Sequence, residues 1–176
     1  LQYGTENLLA VQVKNEGENS RWYSGSGIYR HVWIHITEPV HVAHWGTYIT
    51  TPEVEEDLAT ISVRTTIENN SIESSEIILK ISILDENGVE KVFVKSNYSL
   101  SSDKNAEITQ KLTLKTPSLW SPESPYLYTA VTKLYSGNVL KDEISKRFGI
   151  RDIKYEPNEG FSLNGEVRKF KGVCLH

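Results

Sequence analysis

Methionine is absent from this sequence, and cysteine occurs once, as Cys174. A single thiol permits no disulfide within the chain. The antibody kind of sandwich, pinned by a cystine between its sheets, is thereby excluded, and the fold must rest on its apolar core. The lack of methionine means that no native start codon is represented, and Leu1-Gln2-Tyr3 runs almost directly into the apolar stretch from Leu8 to Val13. An excised middle piece of a longer protein is expected. The 176 residues have room for one complete core with unfinished flanks, not for two full enzyme domains. Long apolar runs are missing as well: stretches such as Ile77 to Leu79 are far too short to cross a bilayer, and no signal-peptide pattern occurs, so no membrane partner is expected. With a net charge of -4 and no dense Lys/Arg cluster, nucleic acid is not expected as a partner either. The compartment stays open between cytoplasmic and exported.

Helical periodicity is also lacking, and alternation takes its place. Ala59, Ile61, Val63, Thr65 and Ile67 alternate with Thr60, Ser62, Arg64, Thr66 and Glu68, which places one face of a strand in a core and the other in water. The pattern recurs at Leu79, Ile81 and Ile83, at Val92 and Val94, at Ile108, Leu112 and Leu114, and from Tyr128 to Leu134. Turn residues separate these runs, with Asn87-Gly88 and Gly137-Asn138 suited to the positive φ of tight hairpins. Seven strands between about residues 40 and 150 predict an all-β fold, an immunoglobulin-like β-sandwich, with an up-and-down barrel as the alternative. Outside this stretch, strands are expected at Asn7 to Lys14 and Ile28 to Thr37. A hairpin turning at Asn164-Gly165 is expected over 161–168, then a short strand from Phe170 to Cys174 with the cysteine buried on it.

Motifs that carry chemistry are scarce. There is no Gly-rich phosphate loop, no Gly-x-Ser-x-Gly elbow and no Cys/His nucleophile pair. The 23 acidic residues are scattered through turns and outward strand positions, as in the run from Glu53 to Asp57, which reads as a solvated loop. Of the histidines at 31, 35, 41, 44 and 176, the first four suggest a zinc site, but no cysteine lies close in sequence to complete it, and no metal is expected. Asn69-Asn70-Ser71 and Asn97-Tyr98-Ser99 match a glycosylation pattern and read as turn or strand chemistry. Trp22, Trp33, Trp45 and Trp120 fit either core packing or platforms for sugar rings.

Three stretches taken in order add a family. Asn7 to Val13 with Arg21-Trp22-Tyr23-Ser24-Gly25-Ser26-Gly27-Ile28-Tyr29-Arg30-His31-Val32-Trp33-Ile34 resembles the end of the sugar-binding jelly roll of glycoside hydrolase family 2. Leu119-Trp120-Ser121-Pro122-Glu123-Ser124-Pro125-Tyr126-Leu127-Tyr128 is similar to the signature late in that family's immunoglobulin-like domain. Phe148-Gly149-Ile150-Arg151, Phe161 to Gly165 and Lys171 to His176 resemble the entry into its (β/α)₈ barrel. Cys174-Leu175 departs from the pattern, where many members carry Asn before a variable residue.

The resemblance implies flanking strands cut from a jelly roll over residues 1–38, the sandwich over 39–150, and a linker with the first barrel strand over 151–176. Within the family it points to bacterial β-galactosidases, with β-glucuronidases and β-mannosidases less similar. It implies that the longer protein is a retaining hydrolase of terminal β-D-galactosides whose two glutamates lie on later barrel strands. No glutamate here matches either, so this stretch alone is expected to be an inactive spacer. An autonomous carbohydrate-binding or adhesion module, with Trp45 or Trp120 as its platform, is the alternative.

By resemblance, His176 contacts the galactosyl group from the C-terminal end of the first barrel strand, and Arg21 and Trp22 approach the same pocket. The resemblance implies no cofactor in this stretch, and it places any Mg or Na ion of the longer protein in the barrel. Expected partners are the β-galactoside, the neighbouring jelly roll and barrel, and a second copy of the isolated chain through unpaired strand edges.

Overall fold

A computed structural model describes residues 2, 4–17 and 25–174. It divides into two compact units, Leu1–Ile36 and Thr37–His176. In the first unit the described residues form no strand, and the expected strands at Asn7 to Lys14 and Ile28 to Thr37 are not seen. Strand N–H and C=O groups need a neighbouring strand to complete the ladder, and alternation in sequence supplies none. Local bonds take over at its start, where the Asn7 side chain accepts from the Gln2 N–H and donates to the Gln2 carbonyl, both at 2.8 Å.

The second unit contains the sandwich. Its strands are β1 (Val40–Val54), β2 (Leu58–Asn69), β3 (Ser75–Leu84), β4 (Glu90–Leu100), β5 (Lys104–Lys115), β6 (Tyr128–Ser136) and β7 (Val139–Phe148). They form two separate antiparallel sheets in the orders β1-β2-β5 and β4-β3-β6-β7, an immunoglobulin-like sandwich and not a closed barrel. The two hairpin turns fall as the sequence predicts, with Gly88 at φ 79° and Gly137 at φ 57°. Asp85 braces the first by accepting from the Asn87 and Val89 N–H groups at 2.9 Å. Asn69, whose sequence context matched a glycosylation pattern, is fully buried and donates to the carbonyls of Glu73 and Ser101, so it serves as a turn bracket.

The inward positions of β2, β3, β5 and β6 form two apolar clusters, one around Ile61, Ile83 and Leu112 and the other around Ile67, Leu79 and Leu134. Each large aliphatic side chain so buried contributes about 1.5–3 kcal/mol. On three strands the step from one cluster to the next passes through a buried polar residue: Thr65 between Val63 and Ile67, Gln110 between Ile108 and Leu112, Thr132 between Ala130 and Leu134. A polar belt therefore crosses the middle of the core.

After β7 the chain forms a small antiparallel sheet, β8 (Ile153–Glu156), β9 (Gly160–Leu163) and β10 (Glu166–Val167), in the order β10-β9-β8. The expected hairpin at Asn164-Gly165 is present, with both residues at positive φ. The expected strand from Phe170 to Cys174 is not, and Cys174 is exposed where a buried position was predicted. Among the described residues the chain forms no strand after β10, and the segment pairs with neither edge of the small sheet.

Candidate functional site

The end of the sandwich where β7 passes into β8 ties together segments far apart in sequence. Leu119 forms a parallel bridge with Ile150, and the Trp120 N–H donates to the Ile150 carbonyl at 2.7 Å. Gly149 lies against the indole so closely that an added Cβ would stand 2.7 Å from the Trp120 Cβ. Only glycine permits that approach. The Arg151 guanidinium lies 5.0 Å from the centre of the Trp120 ring, an attraction worth about 0.5–2 kcal/mol depending on desolvation. The Arg151 carbonyl in turn accepts from the Thr51 hydroxyl at 3.2 Å.

The β9–β10 turn is fastened to the backbone of the same tryptophan. Asn164 adopts φ 52°, a left-handed conformation that asparagine tolerates better than most residues. Its amide donates to the Trp120 carbonyl at 3.0 Å and accepts from the Asp152 N–H at 3.0 Å, and its own N–H donates to the Asp152 carbonyl at 2.9 Å. Arg168 adds bonds from its Nη1 to both carboxylate oxygens of Glu123, at 2.7 and 2.8 Å, while its Nη2 donates to Glu166 at 3.0 Å. One guanidinium thus holds two carboxylates, through charge-assisted bonds stronger than neutral ones. The Arg168 bond, helped by a backbone N–H, draws the Glu123 carboxyl down to about 2.

Beside these ties lies a cleft of about 650 Å³, lined among others by Ile49, Thr51, Trp120, Arg147, Phe148 and Arg151. Asp152 is the carboxyl in its lining. The Glu123 and Glu90 carboxyls lie outside that lining and both have lowered pKa values, the latter held first by the Ser82 hydroxyl and then by Lys80. Among the described residues no group of three or more His, Cys, Asp and Glu side chains is placed to hold a metal ion. His41 instead faces Glu68 across the β1–β2 pair at 3.3 Å, and His44 stacks on Trp45.

The segments joined here include three of those that carry the family resemblance, 119–128, 148–151 and 161–165. The model of the glycosyl hydrolases family 2 matches residues 40–151. The chain belongs to glycosyl hydrolase family 2. It is 42% identical over its full length to a β-galactosidase, BoGH2A, of Bacteroides ovatus, and 30% identical over 98% of its length to a β-glucuronidase of Formosa agariphila. Among solved structures, a member of the family from Bacteroides cellulosilyticus aligns over 93% of the chain with a TM-score of 0.89 at 39% identity. A β-glucuronidase of Bacteroides uniformis aligns over 80% with a TM-score of 0.73 at 28% identity. The chain spans about a fifth of the length of these proteins, 21% of the Bacteroides ovatus relative and 21% of the Bacteroides cellulosilyticus chain.

The substrate-contacting residues expected from sequence, Arg21, Trp22 and His176, lie outside the described residues. What the sequence reading missed in this family member is the clasp itself. Asn164 carries a signal, the Asn-Gly turn, but Arg168 and Glu123 stand 45 residues apart with no pattern linking them.

Proposed function

We propose that the chain is the immunoglobulin-like spacer of a retaining β-galactosidase that hydrolyses terminal β-D-galactosides, seated between a sugar-binding jelly roll and a (β/α)₈ barrel. The observation that carries this reading is the clasp. Trp120, Arg151, Asn164 and the Arg168–Glu123 pair fix the direction in which the chain leaves the sandwich, as a spacer that aims a following domain must. Galactoside specificity is supported by the 42% identity to the β-galactosidase, against 30% for the β-glucuronidase and 36% for a putative β-glucuronidase, both of Formosa agariphila. In this reading His176 touches the galactosyl group, Arg21 and Trp22 border its pocket, the two catalytic glutamates belong to the barrel, and no cofactor is bound by this stretch.

The test compares the isolated chain with the full-length polypeptide on an aryl β-galactoside. The expected result is no turnover by the chain, turnover by the full-length protein, and a severalfold lower kcat when Arg168→Ala loosens the clasp there. Turnover by the purified chain, or a full-length Arg168→Ala variant indistinguishable from the parent, sinks the spacer reading. A full-length protein that prefers an aryl β-glucuronide or β-mannoside keeps the spacer and replaces the substrate.

A further inference from the structure

Strand β1 is interrupted between Val42 and Thr47. Val42 pairs with Ile67 and Thr47 with Thr65, so four residues of β1, Ala43 to Gly46, stand opposite the single residue Thr66. A bulge this large re-aims side chains away from the regular pleat. Its contents are specific. Ala43 is buried, Gly46 has no room for a side chain because a Cβ there would come within 2.7 Å of the Ala43 carbonyl and 2.8 Å of that of Thr66, and Trp45 between them is 84% exposed.

Trp45 also sits at φ 57°, in the left-handed region where a bulky side chain is an outlier. The fold thus accepts backbone strain and leaves its largest side chain in water. Neither the apolar clusters nor the clasp at the other end of β1 makes use of this residue. Strain that persists where packing does not repay it is a mark of function. The imidazole of His44 extends the ring surface, stacked on the indole at 5.5 Å with 25° between the planes.

The surroundings decide what such a surface takes. A lasting protein interface requires about 800 Å² per partner around an apolar centre. By register, the outward residues next to the bulge on the β1-β2-β5 sheet are instead Thr66 and Glu107, followed by Tyr48, Arg64 and Thr109, with the Arg64 guanidinium 4.9 Å from the centre of the Tyr48 ring. One broad aromatic face set in a surface of hydroxyls and charges complements a pyranose, whose axial C–H bonds make one face apolar while its rim carries hydroxyls.

We infer that the Trp45 bulge is a saccharide platform, a secondary glycan-binding site on the sandwich separate from any catalytic pocket. The inference does not rest on the spacer reading and survives its failure.

Saturation-transfer NMR on the intact chain tests it, with lactose and methyl β-D-galactoside as probes. Wild type is expected to transfer magnetisation to the ring C–H protons with millimolar affinity, Trp45→Phe to retain most of the effect, and Trp45→Asn to bind at least about tenfold more weakly. Asparagine accommodates the left-handed backbone, so Trp45→Asn is also expected to raise Tm, by about 2–4 °C for a relief near 1 kcal/mol. Loss of binding together with a gain in Tm separates a platform from a packing residue. The inference is overturned if Trp45→Asn binds the sugars as wild type does, if neither sugar shows transfer to the wild type, or if Trp45→Asn lowers Tm. It is equally overturned if sedimentation shows a dimer that Trp45→Asn dissociates, which would assign the indole to a second copy.

Discussion

Thr65 and Thr132 are wholly buried, and neither hydroxyl has a partner among the described residues. A buried, unpaired polar group costs about 1–3 kcal/mol, and exchanging it for an apolar group of like shape recovers part of that. Thr132→Val is therefore expected to stabilise the sandwich by about 1 kcal/mol, which urea unfolding reads as a higher midpoint with an unchanged slope. A lower midpoint would mean that the hydroxyl holds an internal water essential to the belt. At the surface, Glu123 makes the opposite case. Its carboxyl is held at about 2 in the folded chain against an ordinary value of 4.5, so the folded state favours the ionised form. The contribution of the Arg168 pair is thus full above about 4.5 and fades as pH falls towards 2. An NMR titration should place the Glu123 midpoint near 2 in wild type and return it towards 4.5 in Arg168→Ala. A midpoint that does not move would show that the backbone N–H, not the guanidinium, holds the carboxylate.

At the scale of elements, Gly149 joins β7 to the segment that leads into β8, and its hydrogen atom faces the indole of Trp120. Gly149→Ala pushes a methyl group into backbone-anchored atoms of that ring. The expected cost is about 1–3 kcal/mol, as for overpacking elsewhere, with loss of the near-UV signal of an immobilised tryptophan. An unchanged spectrum would show the clasp to be softer than its distances imply. Gly149 also marks what could be read in advance. The alternation of Ala59 to Ile67 and of Tyr128 to Leu134 is written in the residues themselves, because one face of each strand is buried, and those strands formed where expected. Asn7 to Val13 has a comparable apolar character but forms no strand, since the sequence states which side chains prefer burial and not whether a neighbour exists to pair with. The Trp45 bulge was hidden for a related reason. Trp45 invited a platform reading through its size, but the four-against-one register that exposes it arises between two strands. Arg168 and Glu123 were illegible for the same cause, being joined only by tertiary structure.

At the scale of the whole molecule, the division of labour is sharp. No described residue before Val40 is buried, and the apolar core is drawn entirely from the unit Thr37–His176. Conformational order in that unit is sustained by the two sheets of the sandwich and the clasp, neither of which includes a described residue of the first unit. Removing residues 1–36 should therefore leave cooperative unfolding intact, with Tm within about 2 °C of the full chain, since surface changes away from the core fall within about 0.5 kcal/mol. The same truncation addresses self-association. The apolar residues Leu8, Leu9, Trp33, Ile34 and Ile36 are all exposed, and contiguous exposed apolar surface drives association. If these residues cause it, size-exclusion chromatography will show concentration-dependent oligomers for the full chain and a monomer for residues 37–176. Oligomers that persist after truncation would move the cause to the sandwich edges, β4 and β7 of one sheet and β1 and β5 of the other. A marked fall in Tm would show instead that the first unit covers part of the core, and that the sandwich depends on its flank for stability.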